Sequence, residues 1–184
     1  GAGVYLNGHL VSVAEVHVPV WGTHITTPHI GGDYASVRLE TLVENPSGRS
    51  LRIDTDIIAP DGGVACSRSF SGRTGKGQPL TKFFIVENPE LWSPENPVLY
   101  KAVARVYSDG VFSDSYETVF GIRSIEFIPE KGFFLNGHRR KFQGVCNHHD
   151  LGPLGSAVNV AALRRQLTLL KDMGCDAIRT SHNM

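Results

Sequence analysis

The sequence has few of the features that mark a membrane protein, a nucleic-acid-binding protein or a disulfide-bonded scaffold. Its 18 Lys and Arg residues balance 18 Asp and Glu, so the formal net charge is zero and no whole-protein field attracts nucleic acid or an anionic membrane. No apolar run approaches the roughly 20 residues that cross a bilayer. The stretch GAGVYLNGHL lacks the basic and then apolar layout of a signal peptide, so we expect any export signal to lie outside this chain. These absences favour a globular chain, and its 41% hydrophobic residues can bury an ordinary core.

Cysteine is scarce and most histidines stand alone, which excludes the commonest disulfide and metal patterns. The cysteines are odd in number, and their spacings match neither a disulfide framework nor a CxxC metal site. We interpret them as small core residues: Cys66, Cys146 and Cys175. Five histidines are isolated, and for these a structural or surface role is the better interpretation: His9, His17, His24, His29 and His138. We therefore predict no cofactor and no bound metal.

Most of the chain has the pattern of an antiparallel β-sandwich. From Val4 to Phe120, short alternating runs are separated by Pro, Gly, Asn and Asp. Ser108-Asp109-Gly110 joins two long alternating runs, and an Asp-Gly pair in that setting is a strong hairpin signal. Other strands are predicted in 4–18 (one or two), 35–45, 51–60, 64–70 and 80–89. About seven short strands over roughly 100 residues suit an immunoglobulin-like sandwich. No catalytic constellation appears among them, so we predict a scaffold role for this part.

Within 35–45, the alternation predicts which side chains face the core. Three apolar side chains are expected to point inward: Val37, Leu39 and Leu42. Three polar side chains are expected to point outward: Arg38, Glu40 and Thr41. The phase of the alternation slips near Thr41.

Near residue 125 the pattern changes to alternating strand and helix. Asn136-Gly137 predicts a small hairpin over 132–140. A short strand is predicted over 142–146, and 175–179 is predicted as a second one. Between them, 159–174 has apolar residues at helical spacing, with Asn159 as N-cap and Gly174 where a left-handed C-terminal glycine belongs. Strand, helix and strand together predict a βαβ unit of a parallel sheet.

Both predicted parallel strands break off into polar residues. His148, His149 and Asp150 follow the first strand. The second strand leads into Arg179, Ser181, His182 and Asn183. Since neighbouring parallel strands end at the same edge of a sheet, where ligands bind in α/β proteins, we expect these side chains to meet there. The alternative at this point is a solvated loop rim without a ligand.

Imidazole, amide, carboxylate and guanidinium groups together suit a polyhydroxylated ligand, because a sugar hydroxyl both donates and accepts hydrogen bonds. A metal-dependent barrel hydrolase is a rival interpretation, since some of these enzymes carry two histidines after the first strand. Those histidines are separated by one residue, whereas His148 and His149 are adjacent and diverge in an extended backbone.

Several stretches, in order along almost the whole chain, carry a family resemblance. WSPENPVLY precedes the long hairpin, FGIR leads into FFLNGHRRKFQGVCNHHD, and LLKDMGCDAIRTSHN closes the βαβ unit. Together they resemble the family 2 glycoside hydrolases, the group of β-galactosidase, β-glucuronidase and β-mannosidase. The opening GAGVYLNGHLV is similar to the last strand region of that family's sugar-binding jelly roll.

The resemblance implies a mainly β chain, with an immunoglobulin-like sandwich followed by the first β-α-β of a truncated TIM barrel. Residues 1–18 would be the tail of the jelly-roll domain, 19–122 the sandwich, and 123–184 the opening hairpin and start of the barrel. In this family both catalytic glutamates lie on later barrel strands, and Glu126 and Glu130 precede the first one. We therefore expect no catalytic residue in this chain, which would be an inactive fragment.

The resemblance also implies roles at the sheet edge. His148, Asp150 and His182 would face the sugar, and Arg179 would support the floor of the site. Asn183 would help to hold the sugar, and it stands where the glucuronidases usually carry an aromatic residue. Two positions transfer no role: family members vary at His149, and most carry Arg where Leu6 stands.

From these observations we predict a fragment of a retaining exo-β-glycosidase, with a terminal β-D-galactoside as substrate. The alternatives are a β-glucuronidase or β-mannosidase of the same family, or a non-catalytic sandwich that acts as a binding module. We expect a β-linked glycoside as partner and neither nucleic acid nor a membrane; a homo-oligomeric parent enzyme is compatible with the sequence. A single βαβ unit leaves strand edges and an apolar helix face without partners, so we expect the last 60 residues or so to be poorly ordered, paired with another molecule or packed against a neighbour.

Overall fold

The computed structural model describes residues 8–74, 77–148 and 150–181. The chain forms two compact units: residues 12–139 make up one, and the residues from 140 onward, with a short N-terminal stretch, belong to the other. No helix among the described residues is long and apolar enough to cross a membrane.

The first unit contains two facing antiparallel sheets. Its seven long strands are β1 (Thr23–Ile30), β2 (Tyr34–Thr41), β3 (Leu51–Ile58), β4 (Val64–Gly72), β5 (Leu80–Glu87), β6 (Tyr100–Ser108) and β7 (Val111–Phe120). One sheet has the order β1-β2-β5 and the other the order β4-β3-β6-β7. This arrangement confirms the predicted sandwich, including the hairpin at Asp109-Gly110.

Alternate residues of the paired strands fill the space between the sheets. Val37 and Phe84, which are cross-strand partners in β2 and β5, are fully buried, as is Ile57 of β3. Two apolar clusters result, one around these residues and the other around Ile53 and Val106. The sandwich is therefore held by side chains that the period-2 alternation places on one face of each strand.

A polar layer, which consists of Thr41, Thr55 and Lys82, lies on the inward face between these clusters. Along its own strand, each of the three has an inward neighbour from one apolar cluster on one side. Its inward neighbour on the other side packs in the other cluster. The Lys82 ammonium donates hydrogen bonds to Ile53 O at 2.8 Å and to Thr55 Oγ1 at 3.1 Å. These bonds connect β5 of one sheet to β3 of the other.

The inward prediction for β2 is wrong at its end. Thr41, which was expected to point outward, is only 1% exposed, and Val43 is also buried. Leu42, which was expected to point inward, is half-buried. The alternation continues without a slip because β2 pairs with β5 in unbroken register as far as Thr41, and this register overrides the polarity of the threonine.

Two further features of the N-terminal part differ from the prediction. In 4–18, where one or two strands were expected, the described residues form no strand, and His17 alone makes an isolated bridge to Glu44. A strand needs a continuous hydrogen-bonding partner, and the described residues offer this stretch only that one bridge. Strand β1 was not predicted, since Pro28 interrupts its pattern; it is accommodated because β1 is an edge strand with an irregular register between Thr26 and His29.

A small sheet follows the sandwich, and all of its residues except Arg140 belong to the same unit. It has the order β10-β9-β8, formed by β8 (Ile125–Ile128), β9 (Gly132–Leu135) and β10 (His138–Arg140). The predicted hairpin is confirmed, and its turn residues Asn136 and Gly137 have φ of 51° and 76°. Asn136 also fixes this sheet, because its Oδ1 accepts from Ser124 N at 3.0 Å and its Nδ2 donates to Trp92 O at 3.1 Å.

The second unit has the predicted strand-helix-strand order. It contains β11 (Gly144–Asn147), α1 (Val160–Asp172) and β12 (Ala177–Thr180), and β11 and β12 are parallel neighbours. Asn159 is the N-cap, since its Oδ1 accepts from Ala162 N at 3.0 Å. Gly174 has a φ of 95°, as expected for the glycine that ends the helix. No residue of α1 is buried.

Candidate functional site

The carboxyl ends of β11 and β12 lie side by side, as the predicted topology requires. The register pairs Gly144 with Ala177 at one end and Asn147 with Thr180 at the other. Beyond the strands, Ser181 N donates to Asn147 O at 2.9 Å. The residues that follow β11 therefore start next to Ser181.

The opposite ends of these strands are tied together by Asp176. Its carboxylate accepts from Gln143 N at 2.7 Å and from an Arg140 Nη at 2.8 Å. Its own N–H donates to Gln143 O at 2.9 Å. The hydrogen bond from Gln143 N, together with the Arg140 guanidinium, holds the pKa of Asp176 below its usual range. The Asp176 clasp, as we call this set of three residues, fixes the register at the amino edge.

Replacing Asp176 with Ala should loosen the pairing of β11 and β12. We expect backbone amides in 144–147 and 177–180 to exchange about three- to tenfold faster, as measured by hydrogen–deuterium exchange. The matched control is Asp172→Ala, which changes an exposed carboxylate at the end of α1. Because the pKa of Asp176 is lowered in the folded state, the clasp should persist above the ordinary Asp range and be lost as pH falls through the depressed value. Equal exchange in both variants would contradict this role.

At the carboxyl edge, Arg179 contacts a cysteine. Cys146 and Arg179 are register partners, and Arg179 Nη1 donates to Cys146 Sγ at 3.6 Å. The interpretation of all three cysteines as core residues is therefore wrong for Cys146, which is exposed. Cys66 and Cys175 are half-buried, and burial raises the pKa of the Cys66 thiol.

His148 and Asp150 lie just beyond β11, and both are exposed. Asp150 Oδ1 accepts from Gly152 N at 2.8 Å, and this bond shapes the turn that enters a short 3-10 segment, Gly152–Leu154. A shallow hollow of about 270 Å³ adjoins this turn and α1, and its lining includes Asp150, Gly152, Ala162, Arg165 and Gln166. The carboxylate of Asp150 and the guanidinium of Arg165 therefore belong to residues that line the same hollow.

The other residues at this edge divide into two groups. Ser181 is 1% exposed, and its Oγ has no hydrogen-bond partner among the described residues. His149, His182 and Asn183 lie outside the described residues, as does Leu6. The substrate-binding roles of His148, Asp150, Arg179, His182 and Asn183 stay predictions.

Sequence reasoning missed the contacts that organise this edge. Neither the Asp176 clasp nor the pairing of Cys146 with Arg179 was anticipated. The parallel register could have indicated the contact between Cys146 and Arg179, since each of them is the last residue but one of its strand. In the part of the chain that the structure describes, no three His, Cys, Asp or Glu side chains are grouped closely enough to hold a metal ion.

Comparison with known families places both parts of the chain. The model described as glycosyl hydrolases family 2 matches residues 16–123. The model described as the TIM barrel domain of the same family matches residues 127–183. The strand-helix-strand unit is therefore the start of a TIM barrel, as predicted.

Individual relatives agree with these matches. A β-galactosidase of Bacteroides ovatus is 38% identical over 187 residues, which cover 100% of this chain and 22% of that protein. A solved family 2 glycosyl hydrolase of Bacteroides cellulosilyticus aligns with a TM-score of 0.83 and 33% identity, over 92% of this chain and 22% of its own. β-Glucuronidase 2 of Bacteroides uniformis, solved covalently bound to cyclophellitol-6-carboxylate aziridine, aligns with a TM-score of 0.79 and 28% identity, again over 92% and 22%. The chain thus spans about a fifth of the length of these relatives.

Proposed function

Because the chain belongs to family 2 of the glycosyl hydrolases, we propose that it is part of a retaining exo-β-glycosidase that hydrolyses terminal β-D-galactosides. The observation that carries this proposal is the 38% identity to the Bacteroides ovatus β-galactosidase along the entire chain. The fold supports it, since both the sandwich and the first barrel unit have the family's arrangement.

The carboxyl edge of β11 and β12 would hold the sugar. Asp150 Oδ1 accepts from Gly152 N–H, and Oδ2, which has no partner among the described residues, would accept from a sugar hydroxyl. His148 and Arg179 add an imidazole and a guanidinium at the same edge. His182 and Asn183 would complete the set. Such a group orients a sugar because each hydroxyl finds both a donor and an acceptor.

Cleavage needs two carboxyl groups that this edge does not supply. Retaining glycosidases use a nucleophile and an acid/base roughly 5 Å apart. Glu126 lies on β8 and Glu130 in the turn before β9, so both precede the first barrel strand. A full barrel takes about 250 residues, and the catalytic pair would come from strands after β12. The covalent complex of the Bacteroides uniformis enzyme supports a nucleophile of this kind. The 184-residue chain on its own is expected to be inactive.

The role of Asp150 can be tested in the complete enzyme by Asp150→Asn. Asn keeps an oxygen acceptor for Gly152 N–H and removes only the negative charge, so the turn should persist. We expect kcat/KM for 4-nitrophenyl β-galactoside to fall about 100-fold. Asp61→Asn is the matched control, because Asp61 Oδ1 accepts from Gly63 N at 2.8 Å in a similar exposed turn of the sandwich. That control should leave kcat/KM unchanged.

The substrate class can be tested by assaying the complete enzyme in parallel with three aryl glycosides: a β-galactoside, a β-glucuronide and a β-mannoside. The proposal predicts that the complete enzyme prefers the β-galactoside and that the first product formed keeps the β configuration. A preference for the glucuronide would favour the second candidate, a β-glucuronidase, which the similarity to the Bacteroides uniformis enzyme supports. Preference for the mannoside would overturn both. Turnover of any of them by the isolated 184-residue chain would overturn the assignment of the glutamates to later strands.

A further inference from the structure

Arg179 has an unusual described partner for an arginine in a polar site. It lies one residue before the end of β12, and its Nη1 donates to the Cys146 thiol sulfur at 3.6 Å. Among the described residues, no carboxylate lies within ion-pair distance of its guanidinium. Arg140, in contrast, is paired with Asp176 at the amino edge of the same sheet.

The sheet itself produces this contact. Cys146 and Arg179 are direct register partners in neighbouring parallel strands, so both side chains project from the same face. Because β11 and β12 are held in register at the other end by the Asp176 clasp, the thiol has a fixed position beside the arginine. The contact therefore follows from the fold and does not depend on a flexible loop.

We propose that Cys146 is a positioning residue, whose thiol orients the Arg179 guanidinium in the sugar-binding site; this inference rests on the proposed glycosidase function. A thiol is a neutral, weak acceptor. It restrains a long side chain with many rotamers without neutralising the positive charge. A carboxylate at position 146 would neutralise the same charge.

The test compares Cys146→Ala with Cys146→Ser in the complete enzyme. Ala removes the acceptor, and we expect kcat/KM to fall about tenfold, mainly through kcat. Ser keeps an acceptor in the same place and should restore kcat/KM to within about threefold of the unchanged enzyme. Cys175→Ala is the matched control, since Cys175 is a half-buried cysteine of the same unit, and it should leave kcat/KM unchanged. Titration of active sites with a cyclophellitol aziridine, the class of reagent bound covalently in the Bacteroides uniformis enzyme, gives the concentration of active enzyme. The rate is then expressed per active site, which separates a loss of folded enzyme from a loss of kcat.

A second measurement does not depend on activity. In the 184-residue chain, the side-chain 15N and 1H signals of Arg179 should shift to values of a solvent-exposed arginine in Cys146→Ala and stay near the original values in Cys146→Ser. Unchanged Arg179 signals in the Ala variant, or equal kcat/KM for the Ala variant and the unchanged enzyme, would overturn the proposal. If the unchanged complete enzyme cleaves none of the three aryl glycosides, the glycosidase function fails, and the Arg179 signals still decide the contact.

Discussion

Phe84→Ala should lower the free energy of unfolding of the sandwich by about 3–5 kcal/mol, the usual cost of removing a fully buried aromatic ring from a core. Phe84 is 0% exposed and packs in the cluster that joins the two sheets. Its cross-strand partner Val37 and the facing Ile57 are also fully buried, so the cavity cannot fill by a small movement of one side chain.

The neighbouring residue provides the control. Phe83 is 54% exposed on the opposite face of β5, where its cross-strand partner is Arg38. Phe83→Ala should cost less than about 1 kcal/mol, because little apolar surface returns to water. Urea unfolding followed by tryptophan fluorescence measures both variants. Equal losses in the two would show that the alternation of β5 is assigned to the wrong faces.

The second large effect concerns the charge in the polar layer. Lys82 is 9% exposed, and burial lowers its pKa to about 8, although the nearby Asp54 carboxylate opposes the shift. In the unfolded chain the ammonium titrates at its ordinary value of 10.5. Between these two values the unfolded state binds more protons than the folded one, so the contribution of Lys82 to the free energy of unfolding rises with pH.

Lys82→Met should remove this dependence. From pH 7 to pH 10, the stability of the original chain should gain about 2 to 3 kcal/mol relative to the Met variant. At pH 7 the variant avoids the cost of burying a charge, while Ile53 O and Thr55 Oγ1 lose a donor, so the two effects oppose each other. Urea unfolding at four pH values across this range measures the difference.

An exposed lysine gives the reference for that experiment. Lys101 lies on β6 and pairs with Glu117 at the surface. Lys101→Met should leave the pH dependence of the original chain unchanged, since a surface pair contributes little. Parallel pH curves for the original chain and Lys82→Met would mean that the ammonium is hydrated in the folded state.

The sequence pattern predicted most of the strands because burial and alternation coincide along them. It failed at Thr41, where the register of an unbroken ladder buries a polar side chain, and at β1, where Pro28 hides an edge strand. Lys82 shows the same limit, because its acceptors lie on a strand of the other sheet. Such contacts depend on how two sheets face each other, which alternation along one strand does not encode.

At the candidate site, the sequence predicted the topology of the strands but not the side-chain contacts between them. Strand, helix and strand sufficed to predict a shared carboxyl edge, and the family matches confirm the resemblance that the motifs indicated. The clasp on Asp176 and the thiol beside Arg179 depend on the register of four-residue strands. A shift of one residue in the β11–β12 register would break both sets of contacts without changing the composition or the helix. The sequence pattern alone therefore could not specify these contacts.

The Asp176 clasp and the candidate binding residues lie at opposite ends of this short sheet. The side-chain bonds of the clasp lie at the amino edge, whereas Cys146 and Arg179 lie near the carboxyl edge. Substitutions at the carboxyl edge are therefore expected to leave the clasp unchanged, together with the stability that it supplies. Relatives solved as a putative β-galactosidase and as a β-glucuronidase share this fold, as expected if specificities differ at one end of a sheet whose other end stays fixed.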